Sequence, residues 1–450
     1  MKRIKSFLFI AFFTLFRDSL YAQIPVKLYY DSLSRKQLRA EFFYNNAEDS
    51  LLTGAYKSYH PNGRLAMTGQ YAEGKKDGAF IEYFENGKKR LEASFLEGKK
   101  EGPMLAYDTS GQILQKAFFA GNQLNDSLIA WYPGGGIRSR ALFLRDSIEG
   151  LMLEYYRNGK VKKEVMHRKG RPHGLSKEYF SSGILSIEAN YVEGFLTGNY
   201  KVYYENGQLD TESYLEKGTK SGGFTSWDQN GRKLQTGYYL DGRYHGEFQS
   251  YYPDGVLKNK VTWQSGFRDG PAYYYREDGK IREEIQFETD KKVKIQAFYT
   301  DGKTEYSGSY GKNEVKTGEW IFYFRNGKKK ELITYNEAGK QHGMRLLWDS
   351  TGKKKLEESW LNDLKTGPSR SFYPGGKVNE VWLYQGNYLQ GPYQQFHPNG
   401  KEAVKGVYKN SKKNGLWEYL SEDGSPLKTE SWKMDKLIST KNFRSRSKGK

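Results

Sequence analysis

The chain has 450 residues, of which 50 are Gly and 37 are Tyr, with aromatics at 16% and the whole hydrophobic class at only 37%. That balance argues against helix bundles and doubly wound α/β folds, and the aromatic content argues against intrinsic disorder. There is no Cys, which removes disulfide frameworks, thiolate metal sites and thiol nucleophiles; the 72 basic residues against 53 acidic, +19 formally, bear on partners rather than on fold.

The first element in chain order is an export signal. Lys2, Arg3 and Lys5 precede an apolar run from Phe7 to Phe16, and a short polar stretch leads to Tyr21-Ala22-Gln23. The run is shorter than the roughly 20 residues of a spanning helix, so it reads as a secretory signal peptide, residues 1–22, cleaved after Ala22. The mature chain is expected to be exported to the periplasm, the outer-membrane surface or the medium, and to lack a transmembrane segment. Residues 23–50, with Leu28-Tyr29-Tyr30 and Phe42-Phe43-Tyr44, read as a degenerate unit capping a sheet edge.

From residue 51 the chain repeats. A Gly recurs every 24 residues at Gly54, Gly78, Gly102, Gly150, Gly174, Gly198, Gly222, Gly246, Gly270 and Gly318, with Asp126 and Lys294 in the two missing slots. After one inserted residue the series resumes at Gly343, Gly367, Gly391 and Gly415. A second Gly follows nine residues after most of these, in turns such as Pro61-Asn62-Gly63, Glu85-Asn86-Gly87 and Pro398-Asn399-Gly400, giving sixteen units from Gly63 to Gly424. Asn-Gly between apolar runs signals a tight hairpin with positive φ, so each unit reads as two short strands and two turns. Aromatics recur every 12 residues from Tyr59 through Tyr71, Tyr83 and Phe95 to Phe287, broken only by His167 and Leu215. This spacing predicts one ring per strand, zipping each strand to the next.

The predicted fold is all-β: an extended repeat array of 24-residue β-hairpin units forming one long twisted antiparallel sheet, with closure into a barrel or propeller as the alternative. Regular repeats fill 51–287 and 318–438. Residues 288–317 lose the Gly phase, carry Lys291-Lys292-Val293-Lys294 and read as an irregular repeat or hinge. Residues 439–450 read as a disordered basic tail.

The segment from Glu73-Gly74-Lys75-Lys76-Asp77-Gly78 through Tyr83-Phe84-Glu85-Asn86-Gly87-Lys88 resembles the MORN-repeat variant family, in the bacterial branch called YwqK-type antitoxins. Gly391-Pro392-Tyr393 through Asn399-Gly400-Lys401 carries the same pattern, and the resemblance covers roughly residues 50–430. It implies a non-enzymatic β-repeat module for protein contact, and in some members lipid contact.

Little in the chain points to chemistry. The six His residues fall on repeat slots: His173, His245 and His342 each precede the repeat glycine, while His60 and His397 follow a strand-end aromatic. None has metal-ligand spacing. Gly69 to Lys75 has the glycine spacing of a phosphate loop, but Lys76 stands where the hydroxyl residue belongs. No catalytic residue, cofactor or metal is therefore expected. Lys328, Lys329 and Lys330, and one repeat on Lys353, Lys354 and Lys355, are the candidate binding surface: a lysine edge for acidic glycan, lipid headgroups or an acidic protein, or else a guard against sheet aggregation. The overall expectation is an exported, non-catalytic scaffold for protein–protein contact. The alternatives are an anionic lipid or polysaccharide binder through Lys-rich turns, and an antitoxin-like partner of a toxin. Nucleic acid is an unlikely partner for an exported chain.

Overall fold

A computed structural model describes residues 23–46 and 50–443, so the expected signal peptide and the end of the basic tail lie outside the described residues. The protein is all-β, with one 3₁₀ turn at Lys312–Glu314 and no α-helix among the described residues. It divides into two units, 1–207 and 208–450. In the first, from Ile24–Tyr29 to Phe195–Tyr203, and in the second, from Leu209–Glu216 to Lys436–Asn442, strands pair antiparallel with their sequence neighbours. Among the described residues no terminal strand pairs back onto the other end of its own unit, so neither unit closes into a barrel.

The 24-residue glycine makes a bulge. Gly54 (φ 66°), Gly78 (79°) and Gly102 (84°) are all left-handed, as are the later members of the series. In Lys75–Lys76 followed by Gly78–Tyr83 the bulge splits the strand, and the Asp77 N–H bonds the Gln70 carbonyl at 2.9 Å. Asp126 takes the same conformation itself (φ 72°), which Asp tolerates better than most residues. Lys294 does not. Thr289 and Asp290 make the same turn as in the other units, but the bulge after it is smaller: Gln286 pairs with Lys294 and Phe287 with Lys292, leaving only Val293 between them, so no left-handed residue stands at 294 and the glycine phase is lost. Residues 288–317 thus hold two regular strands, Lys291–Phe298 and Thr304–Tyr310. They adjoin the main buried cluster of Val261, Ala272, Ile285, Phe287, Ile295 and Trp320. The expected basic tail likewise begins inside a strand, Lys436–Asn442, paired with Pro426–Lys433.

The hairpin turns are one step longer than Asn-Gly suggested. His60 N–H bonds the Arg64 carbonyl at 2.7 Å and Gly63 N–H bonds the His60 carbonyl at 2.9 Å. Only the glycine (Gly63, φ 80°) is left-handed; Asn62 keeps negative φ and uses its side chain instead.

Side chains alternate between the two faces of a strand, and most buried residues share one face. Two residues after the repeat glycine stands a large side chain, and the residue opposite it on the next strand is small. The pairs are Tyr56 with Gly69, Phe80 with Ala93, Met104 with Ala117, Phe224 with Gly237 and Tyr393 with Gly406. The glycines leave room for the ring of the following unit. A Cβ on Gly69 would sit 2.4 Å from Phe80, on Gly237 2.1 Å from Phe248, on Gly308 2.3 Å from Trp320 and on Gly406 2.3 Å from Trp417. The second aromatic column joins these rings: Tyr71 lies edge-on to Tyr56 at 5.5 Å and to Phe80 at 5.4 Å, and Tyr408 repeats this with Tyr393 and Trp417. Tyr59, Tyr83 and Tyr107 stack on no other aromatic ring among the described residues. A bulge before each turn accompanies their placement on the opposite face, where Tyr59 hydroxyl bonds Glu41 and Tyr107 hydroxyl bonds Glu92. The two columns read from the sequence therefore belong to opposite faces, and only one of them zips strands through ring contacts.

Around residue 345 the ring column gives way to charge. Arg345 stands opposite the buried Glu358, bonds it at 3.3 Å and bonds Glu331 at 2.8 Å, while Lys365 reaches Glu358 at 2.5 Å. A buried carboxylate needs such partners to offset its desolvation.

Candidate binding surfaces

The turn edge is tied together by the side chains that made its lysines look available. Asn62 Nδ2 donates to the Glu85 carbonyl of the next turn at 2.9 Å, Asn86 to Thr109, Asn158 to Ser181 and Asn399 to Glu422. The lysine after the turn glycine does the same. Lys88 reaches the Ser110 carbonyl at 2.6 Å, Lys401 the Asp423 carbonyl at 2.9 Å, and Lys328 the Thr351 carbonyl. One residue after the strand-end aromatic, a third series spans the same gap: Tyr132, Tyr156, Tyr252 and Tyr373 hydroxyls donate to backbone carbonyls of the next unit, and His60 Nε2 and His397 Nε2 occupy the equivalent place at 2.9 Å. Those two histidines stand where other units have a tyrosine.

All six candidate lysines are exposed. Lys328 spends its ammonium on the turn ladder and Lys354 pairs with Glu357 at 2.5 Å. Lys329, Lys330, Lys353 and Lys355 are left facing solvent beside them.

At the other edge, basic residues cover rings. Two residues before the repeat glycine, Lys76 lies 4.6 Å from the Phe80 ring centre and 4.9 Å from that of Phe95. Lys220 lies over Phe224 and Tyr239, Lys316 over Trp320, Lys413 over Trp417 and Trp432, and Arg268 over Phe287. A cation over a ring contributes roughly 0.5–1 kcal/mol at exposed sites. Part of the chain's positive charge is thus structural, a use that spacing alone did not reveal.

On the face away from the packed rings, the first unit carries an apolar strip. Phe118, Leu142, Leu151, Met166 and Leu175 are 37%, 51%, 42%, 41% and 42% exposed. Register puts Pro103 opposite Phe118, Ser127 opposite Leu142 and Leu151 opposite Met166, so the strip crosses neighbouring strands in a row. Lys116 and Arg140, each two residues along its strand, share that face and give the strip a basic margin. Sequence reasoning missed the strip because its residues are unremarkable singly; strand register makes them contiguous.

The second unit carries, on the face away from its own packed rings, a polar groove of about 520 Å³, lined by side chains including Glu284, Lys294, Gln296, Ser307 and Glu319. Among the described residues no cluster of His, Asp and Glu has the form of a metal site, and no helix is long and apolar enough to cross a membrane.

Nine segments match the model of the MORN repeat variant: residues 52–73, 76–97, 148–169, 172–193, 196–217, 244–265, 268–289, 316–337 and 389–410. No curated protein matches the chain. Among solved structures, TcdB2-TccC3 is 11% identical at a TM-score of 0.13, with 89% of this chain covering 28% of that one. A porin-like protein from Bacteroides uniformis is 7% identical at a TM-score of 0.14, with 62% of this chain covering 92% of that one. The chain thus spans under a third of the first of these. The repeats are those of a binding or scaffold architecture, and by its nine matching segments the chain belongs to the MORN repeat variant family.

Proposed function

We propose that the protein is an exported, non-catalytic scaffold that meets protein partners in the bacterial envelope or outside the cell through the open face of its first unit. The observation that carries this reading is the apolar strip of Phe118, Leu142, Leu151, Met166 and Leu175 with its basic margin at Lys116 and Arg140. A row of exposed apolar side chains rimmed by charge is the surface expected of a protein interaction site. The margin favours a partner with an acidic rim. Leu142 and Leu151 are the anchors of this contact, and repeated weak contacts along the strip add by avidity.

The test is retention of partners from envelope fractions by protein lacking residues 1–22, at low and high salt, with Leu142→Lys/Leu151→Lys as the control. Apolar contact predicts partners that survive high salt and are lost in the double variant. Partners held only at low salt, and equally by the variant, would instead assign binding to the lysine turns. Export is tested separately, by cell fractionation and by sequencing the N-terminus of the mature protein, which should begin at Gln23.

A further inference from the structure

We infer that the groove of the second unit binds a short uncharged saccharide. The groove opens where the repeat changes. Thr304–Tyr310 presents Ser307 and Ser309 to this face, and its other face carries Gly308, which makes room for Trp320. Two short side chains in a row leave a trough. Register sets its length: Tyr273, Glu284, Gln296, Ser307 and Ile321 follow one another across five strands, with Gln286, Lys294 and Ser309 as a second row beside them. Four strand spacings make about 19 Å from Tyr273 to Ile321, close to the length of a trisaccharide. The volume, about 520 Å³, is that of a small-ligand site.

The chemistry of the lining selects the ligand. Glu284 and Glu319 offer carboxylate acceptors, Lys294 three donors, and Gln286, Ser307 and Ser309 both donors and acceptors. Gln296, which also lines the groove, donates to Thr304 Oγ1 at 2.9 Å, and its carbonyl oxygen remains an acceptor. Among the described residues the side chains of Glu284, Lys294 and Glu319 make no hydrogen bond or ion pair, so the groups best able to grip vicinal hydroxyls are uncommitted. Two carboxylates against one ammonium leave the groove locally negative in a chain of net charge +19. That disfavours phosphate, nucleotides and acidic glycans. At the two ends of that row, beyond the lining itself, Tyr273 offers a ring face and Ile321 an aliphatic surface for the C–H faces of sugar rings.

Titration calorimetry on protein lacking residues 1–22, with maltotriose, cellotriose and triacetylchitotriose as probes and inorganic phosphate and heparin trisaccharide as controls, tests this. At least one uncharged trisaccharide should bind with a Kd below about 10 mM, and weaken at least tenfold both in Ser307→Trp, which fills the trough, and in Glu319→Ala, an exposed position that leaves the strand intact. Circular dichroism confirms folding of each. No binding by any of the three sugars, binding indifferent to Glu319→Ala, or preferential binding of phosphate or heparin would each overturn the assignment. The strip of the first unit is untouched by these variants, so the two proposals stand or fall apart.

Discussion

At the residue scale, fit is decided by whether a small side chain lies beneath a large one. Gly406 has no Cβ because the Trp417 ring occupies that space, at 2.3 Å from where the atom would be. Gly406→Ala should cost about 1–3 kcal/mol in chemical denaturation, and the double variant Gly406→Ala/Trp417→Leu should cost less than the two singles summed. Ionisation gives a second check on the other face. Burial, then the hydrogen bond to Glu41, pushes the Tyr59 hydroxyl up to about 12, and burial with Glu92 does the same for Tyr107. A folded pKa raised above the unfolded value means that stability is complete below pH 10 and lost as the pH climbs from about 10 to about 12. Absorbance at 295 nm should show a late-titrating tyrosine component in native protein, which Tyr59→Phe with Tyr107→Phe should reduce but not abolish, because burial also raises Tyr239, Tyr393 and Tyr419. Glu430 runs the other way. The Lys428 ammonium, helped by the Tyr419 hydroxyl and the Trp432 indole, holds its carboxyl down at about 2. Its contribution is full above the ordinary carboxylate range and fades as the pH falls from about 4.5 to 2, so Glu430→Gln should flatten the acid limb of a stability profile in that window.

At the element scale, the unit is a hairpin held to its neighbour at both ends. Asn86 accepts from the Lys88 N–H and donates to the Thr109 carbonyl. Asn86→Ala should therefore lose two bonds, about 1–3 kcal/mol together, and should raise hydrogen exchange across both joined turns rather than in one. Much of this element was legible beforehand: the 24-residue glycine, the turn glycine and the strand-end aromatic all proved to be working positions. What spacing could not supply was direction. Tyr59 and Tyr71 are 12 residues apart and look equivalent in sequence, yet the bulge before Tyr59 accompanies its placement on the face away from the packed rings. Nor could it supply partnership. Lys328 looks like a free surface charge until the Thr351 carbonyl appears beside it, and Lys76 until the Phe80 ring does. The segment 288–317 drew attention through its lost glycine; a smaller bulge, with only Val293 between the Gln286–Lys294 and Phe287–Lys292 pairs, accounts for that loss without loosening the packing.

At the scale of the whole molecule, function should reside where the repeat leaves side chains unspent. Rings, turn asparagines and many lysines are committed to holding unit against unit. The apolar strip of the first unit and the polar groove of the second are not, and neither stands out in sequence, because each is made by register across several strands. The most direct measurement is site-specific photo-crosslinking in cells that express the protein, with a benzophenone side chain at Leu142, on the strip, and in parallel at Lys353, on the turn edge. The account predicts a discrete cross-linked protein from position 142, absent when Leu151→Lys is added, and none from position 353. Cross-links from 353 alone, or none from 142, would contradict it.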